Sequence, residues 1–354
     1  MNQNIFQGEE LRFYNDYPFL CRFYIGEPGK PLVVFFPGWA HLARISYGIP
    51  GSDERDFLAH WILKKGYSFL AVSYPIRHPV FSDVYPGFGL TDWGDAVAAI
   101  TSAYIEENGL NDDVISVHWS ASGQVIRPFN VACGSIGINT RFALALEATP
   151  PIVISSDLTR GMKHTDKMLI SLKYSHYTLF RDEILEQGDL NGKEIISQGE
   201  YVKHILGDIP VGIMGTTNVF TDGTIKEDIV KSFLDKNFFA FTDYPLTVII
   251  SGDSALSPYH SIVDRHTWSF INTRMLYHGH IARSLFQNKP LRKSDMRRLT
   301  KFVHSLPDRL NSVIPGNHFL FVGRKGARAV AAQLEMFDSE IVKIKTEMSG
   351  MLSR

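Results

Sequence analysis

Four apolar-rich runs, the first of them continuous, constrain this chain more than any other feature. They are "PLVVFFPG" (31–38), opened and closed by proline, "YSFLAVSYP" (67–75), "DVISVHW" (113–119) and "RFALALEA" (141–148). A strand with one wet face alternates apolar and polar residues, so runs without alternation belong to strands buried on both faces. Between the runs lie segments with helical spacing. "ERDFLAHWILKKG" (54–66) stops at Gly66, and "TDWGDAVAAITSAYIEENG" (91–109) has Thr91 as an N-cap and Gly109 as a stop. A third helix is read in "SGQVIRPFNVACGSI", directly after the third run. Such alternation specifies an α/β fold, with a mostly parallel central sheet covered by helices on both faces. In that architecture the functional loops gather at the carboxyl ends of the strands.

The rhythm breaks after "TPP" (149–151). Residues 152–240 give helical and loop patterns rich in aromatics, including Tyr174, Tyr177, Phe180, Phe220, Phe233, Phe238 and Phe239. The expectation is a helical lid inserted after the fourth parallel strand, with a core formed by 1–151 and 241–354. The core pattern resumes with strands in "YPLTVIISGD" (244–253) and "LNSVIPGNHFLF" (310–321), and with an amphipathic helix in "ARAVAAQLEMF" (327–337).

Composition narrows the partners. A formal net charge of −1 over 354 residues supplies no global positive field for nucleic acid or acidic lipid. The basic cluster "KPLRKSDMRR" (289–298) is interrupted by Asp295 and reads as the wet face of a helix. The two cysteines, Cys21 and Cys133, form no C-x-x-C pair, so neither a disulfide framework nor a zinc knuckle is signalled. No secretory pattern opens the sequence and no apolar run is long enough to span a bilayer, so a cytoplasmic location is expected.

The chemistry is expected where the third run ends, in "VISVHWSASGQVI" (114–126). A serine at a sharp turn between a buried strand and a helix is exposed near the positive end of that helix. There a base can take its proton and backbone N–H groups can face an oxyanion. The preferred nucleophile is Ser120, with Ala121 and Ser122 as small neighbours and His118 where glycine is usual in G-x-S-x-G. Ser122 is the alternative register. Pro37-Gly38 directly follows the first run; Gly38 allows close backbone approach, and the N–H groups of Trp39 and Ala121 would form the oxyanion hole. Gly38 and Trp119 are expected at the substrate. The preferred base is His318, ahead of the closing helix, and His280 in "YHGHIARSLFQNKP" is its competitor. His278 and His280 lack a third ligand at helical spacing, so no metal is expected. The acid that orients the base is expected to be Asp253 in "VIISGDSALSP", with Glu147 in "LALEATPP" second.

The order of oxyanion loop, nucleophile turn, lid, acid and histidine resembles the α/β-hydrolase fold superfamily, over residues 30–338. The stretches that carry the resemblance are "PGWAH", "HWSASGQ", "SGDSALSP" and "VIPGNHFLF". It implies Ser120 as nucleophile, His318 as general base and then acid, Asp253 as orienter, and no cofactor. The implied activity is hydrolysis of a small-molecule carboxylic ester or acyl thioester with an apolar or bulky acyl group. Two alternatives share the scaffold. One is a lyase or cyclase that uses the serine–histidine pair only for proton transfer; the other is a ligand-binding receptor that signals by lid closure. A haloalkane dehalogenase or epoxide hydrolase is disfavoured, because those are expected to carry aspartate where Ser120 stands.

Overall fold

A computed structural model describes residues 3–152, 163–165, 168–171, 177–282 and 292–352. Its centre is an eight-stranded sheet. The strands are β1 (Glu9–Tyr14), β2 (Tyr17–Tyr24), β3 (Leu32–Phe36), β4 (Ser68–Ser73), β5 (Asp113–Trp119), β6 (Asn139–Leu146), β12 (Thr247–Ser251) and β13 (Asn311–Val313). They lie in the order β1-β2-β4-β3-β5-β6-β12-β13. The β1–β2 and β2–β4 pairs are antiparallel, and every other neighbouring pair is parallel. All residues of β3, β4 and β12 are buried. This is why their sequences are unbroken apolar runs: both faces meet helices and neither needs a polar side chain.

The covering helices are α1 (Leu58–Lys64), α2 (Leu90–Asn108), α3 (Ile126–Ser135), α7 (Pro258–Leu276), α8 (Lys293–Arg309) and α9 (Arg324–Leu352). Gly109 ends α2 in the left-handed conformation (φ 60°) that a C-terminal glycine allows. The helix begins before Thr91, however: Gly89 is the cap, and its N–H donates to Asp92 Oδ2 at 2.9 Å. Residues 292–294 and 296–298 of the basic stretch are exposed at and just before the start of α8, and 289–291 lie outside the described residues. The closing helix α9 is far longer than the segment read from the sequence.

Between β6 and β12 the structure is mixed rather than helical. Helices α4 (Tyr177–Asn191), α5 (Gln198–His204) and α6 (Ile229–Lys236) alternate with two small antiparallel sheets. One is built from β7 (Lys163–His164), β8 (Leu169–Ser171) and β9 (Ile209–Pro210), the other from β10 (Asn218–Thr221) and β11 (Thr224–Glu227). Strands of two to four residues are too short to show a period of two. The stretch read as a strand over 310–321 pairs only at Asn311–Val313. Pro315 and Gly316 then end it, since proline cannot donate to the ladder and glycine leaves it unpacked. Among the described residues no helix is long and apolar enough to cross a membrane.

Candidate active site

The parallel strands deliver their carboxyl ends to one edge of the sheet. Gly38 and Trp39 follow β3, Ser120 follows β5, Glu147 follows β6, Asp253 follows β12 and His318 follows β13. At Ser120 the chain leaves β5 with φ +59° and enters a 3-10 helix over Ser120–Val125 that continues into α3. A left-handed non-glycine residue costs about 1–2 kcal/mol. Two backbone bonds hold it there: Ser120 N–H donates to Glu147 O at 3.1 Å, and Thr149 N–H donates to Ser120 O at 2.9 Å. Seven described non-glycine residues have positive φ. Three of them, Ala40 (62°), Ser120 (59°) and Glu147 (46°), lie at this edge, and three of the other four are Asn or Asp, which tolerate that region. Backbone strain gathered in one place, held by its surroundings, is a mark of a working site.

The neighbours of Ser120 have settled roles. Ser122 is fully buried, and its hydroxyl lies within reach of the carbonyls of Trp119 (2.8 Å) and Phe36 (3.0 Å), so its one proton is committed to the main chain. His118 fills the usual glycine position without disturbing the turn. Its ring stacks on Phe36 at 4.3 Å, and its Nδ1–H donates to Ser122 O at 2.9 Å. Burial pushes this imidazole down to about 3, so it is neutral. The glycine the turn does need is Gly123, where a Cβ would come within 2.4 Å of Thr149 O. Trp119, expected at the substrate, is buried: its indole packs against the rings of His41 (4.8 Å), His318 (5.2 Å), Phe319 and Phe321, and its Nε1–H donates to His318 O at 2.7 Å.

Gly38 presses against the serine: a Cβ there would lie 2.7 Å from Ser120 Cβ. The buried Tyr74 hydroxyl donates to Gly38 O at 2.9 Å and accepts from Ala40 N–H at 3.1 Å. In a trans peptide C=O and N–H point opposite ways, so fixing Gly38 O also fixes the direction of Trp39 N–H. His41 secures the next peptide, with Nδ1–H donating to Trp39 O at 2.5 Å and Nε2 accepting from Tyr201 Oη at 2.6 Å. Burial lowers His41 to about 3. Ala121 N–H sits in the first turn of the 3-10 helix, among the amides that lack an intrahelical acceptor.

The carboxylate beside His318 is Glu147, not Asp253. Glu147 is fully buried, with Oε2 3.8 Å from His318 Nδ1, an ion-pair rather than a hydrogen-bond distance. Its Oε1 accepts from Gly252 N–H, and its Oε2 accepts from Ser257 Oγ at 3.1 Å. Burial alone would raise the Glu147 carboxyl, but His318, His260 and the Gly252 amide outweigh it and keep it ionised. Asp253 is exposed, and its Oδ1 accepts from Gly316 N–H at 3.1 Å, closing a turn. Burial pushes the His318 imidazole down to about 4 against the pull of Glu147. The loop that carries it is fastened by the buried Asn317, whose Nδ2 donates to Glu183 O (2.7 Å) and Glu186 Oε2 (2.6 Å), both on α4. His280, the other candidate base, is exposed on a π-helical turn at the end of α7. His278 stacks there on Phe241.

Several residues of the site have no signal in a turn motif. His260 and Asp264, four apart on α7, are buried and paired, Nδ1 to Oδ2 at 2.9 Å. Only their helical i, i+4 spacing could have drawn attention to them. Glu183, also buried, has its carboxyl raised to about 8 by burial and by Glu147. The aromatics of the insertion divide. Phe180 packs on His41 and Phe319 at the site, whereas Phe233, Phe238 and Phe239 cluster with Phe241 or with each other, and Tyr174 lies outside the described residues. A cavity of about 1160 Å³ is lined by residues such as His78, Ser171 and Lys203, and by none of Ser120, Glu147 and His318. Among the described residues one group could hold a metal ion: Glu147, His260 and His318, whose ligand atoms lie within 4.8 Å of one another. Ligands at the distances zinc prefers stand only about 3.4 Å apart in a tetrahedron, so the trio would have to contract around an ion.

No family model and no curated protein matches the sequence. Solved structures do. One, described as the structural basis for recognition and ring-cleavage of the Pseudomonas quinolone signal by an AqdC variant, superposes with a TM-score of 0.50 at 12% identity, over 95% of this chain and 99% of that one. A carboxylesterase of the thaumarchaeon Nitrososphaera gargenis gives 0.47 at 8% identity, over 96% and 100%. A thioesterase domain from the curacin biosynthetic pathway gives 0.43 at 12%, over 92% and 98%. At these identities the likeness speaks of architecture alone. Together with the strand order and the turn at Ser120, the first of these likenesses shows that the chain has the α/β-hydrolase fold.

Proposed function

We propose that the protein is a serine hydrolase that cleaves a carboxylic ester or acyl thioester through an acyl-enzyme on Ser120. The observation that carries this reading is the strained Ser120 turn, tied by its backbone to Glu147 and Thr149 and through the Trp119 indole to the loop that presents His318. A serine hydroxyl is a weak nucleophile until a base accepts its proton. His318, kept neutral by burial, is that base, and Glu147 takes the orienting role expected of Asp253.

The steps follow from these roles. His318 accepts the Ser120 proton as Oγ bonds to the carbonyl carbon, and the carbonyl oxygen takes up the negative charge. The amides of Trp39 and Ala121 stabilise that oxyanion. The tetrahedral intermediate collapses, the bond to the alkoxide or thiolate breaks, and His318 returns its proton to the leaving group. Water then attacks the acyl-enzyme by the same route, releasing the acid and restoring Ser120. Glu147 stabilises the imidazolium that forms twice in the cycle. An apolar acyl group is favoured by Phe180, the insertion aromatic packed against the oxyanion loop at His41.

The test is a fluorophosphonate probe followed by peptide mapping. The expected result is a single adduct on Ser120, lost in Ser120→Ala together with turnover of a p-nitrophenyl ester. A folded protein that forms no adduct would instead support proton transfer without a covalent intermediate. An adduct on Ser122 would overturn the assignment of the nucleophile.

A further inference from the structure

The trio Glu147, His260 and His318 holds one imidazole more than an acyl-transfer site requires. The rings of His260 and His318 are nearly parallel, at 19°, with centroids 4.8 Å apart. Their ring nitrogens and a Glu147 oxygen lie within 4.8 Å of one another. His260 is in turn held from behind by Asp264, fully buried, with Nδ1 and Oδ2 at 2.9 Å. We propose that His260 and Asp264 are positioning residues: a second imidazole–carboxylate pair that shares Glu147 with His318 and sets how readily His318 takes a proton. This rests on the hydrolase reading for its consequence in turnover, though not for its electrostatics.

Charges in so dry a space act strongly on one another. Burial alone would lower His260, but its pairing with Asp264 and the nearby Glu147 act the other way, and the imidazolium is favoured overall. Burial raises the Asp264 carboxyl to about 6, so it is ionised at neutral pH beside that imidazolium. Glu147 therefore lies between an imidazole whose charged form is favoured and a base that becomes cationic only during the reaction. Positive charge at His260 opposes protonation of His318 and takes part of the attraction of Glu147. The other titratable groups facing His318 leave this logic unchanged. His41, from the loop after β3, is neutral because burial lowers it. Glu183, from α4, is protonated because burial raises it. Glu186, on the same helix, is engaged by Ser254 and Asn317.

Removing the pair has a definite sign. In Asp264→Asn, His260 loses the partner that keeps it charged, and the opposition to a proton on His318 falls. In His260→Gln the cation is gone outright, and any charge left on Asp264 also favours protonated His318. Both variants raise the affinity of His318 for a proton.

The experiment follows the full-length protein and both variants by two readouts. The first is the histidine C–H NMR titration, with His318 assigned by its loss in His318→Gln. The second is the pH profile of kcat/KM for a p-nitrophenyl ester. The expected result is an upward move of the His318 midpoint by about one pH unit, a tenfold change in proton affinity, matched by an equal move of the acid limb. The double variant should shift no further than the larger single one, because the two residues act as a unit. A His318 midpoint unchanged to within about 0.2 pH unit in both natively folded variants would overturn the proposal and leave the pair a structural contact of α7. A shifted midpoint in a protein that neither turns over nor labels at Ser120 would uphold the coupling and remove the hydrolase reading.

Discussion

Two adjacent strands of the sheet, β6 and β12, each end in a carboxylate, and the two ends do opposite things. At the β6 corner Glu147 is forced into positive φ and sealed from water, and it receives Gly252 N–H and the Ser257 hydroxyl while facing His318. At the β12 corner Asp253 stays in solvent and closes a turn with Gly316. A charge in water is screened and free to find other partners; the same charge in a dry pocket acts on whatever it faces. The buried carboxylate can therefore orient an imidazole, and the exposed one serves the backbone. Burial and backbone constraint, beyond chain order alone, decide which of the two carboxylates is placed to orient the imidazole.

Substitutions at the serine and at the two corners separate these roles. Ser120→Ala should have the largest effect, reducing ester turnover at least ~10⁴-fold, because no other hydroxyl at the turn is free to replace it. Glu147→Gln should follow, with kcat/KM down ~10³-fold, by removing the charge that stabilises imidazolium. Tyr74→Phe releases Gly38 O and lets the Trp39 amide turn away from the oxyanion; a loss of about tenfold in kcat, with KM nearly constant, is expected. Asp253→Asn should alter kcat/KM by less than about threefold, as befits an exposed turn residue. The pH profile adds a test with a worked sign. His318 must be neutral to act, and burial lowers it to about 4, so activity should persist through pH 6 and fail only as pH drops toward that value. An acid limb near 6.5 would mean that His318 is solvated in the working enzyme.

Much of the fold was legible because burial on both faces writes itself into a strand as an unbroken apolar run, as in "LVVFF" and "TVIIS". The turn at Ser120 was legible for a related reason: small polar residues interrupt such a run just where a helix begins. The mixed insertion was hidden by the brevity of its strands, and β13 was overread because apolar residues continue past Pro315 and Gly316, which end the pairing. The burial of Trp119 between His41, His318 and Phe319 is set by the loops after β3 and β13 and leaves no local pattern. The acid was the least legible residue of the site. Glu147 and Asp253 both follow apolar runs, and what separates them is the positive φ of Glu147 and the path of the loop from Val313 to His318, neither of which leaves a local pattern. His260 and Asp264 were hidden likewise on a helix that reads as ordinary cover.

The most direct test of the account is the rate of Ser120 phosphonylation, mapped by mass spectrometry, in Glu147→Gln and Asp253→Asn side by side. The expected result is labelling of Ser120 at close to the unmodified rate in Asp253→Asn and a loss of ~10³-fold in Glu147→Gln. Labelling that slows in Asp253→Asn and persists in Glu147→Gln would return the orienting role to the exposed corner and contradict the site described above.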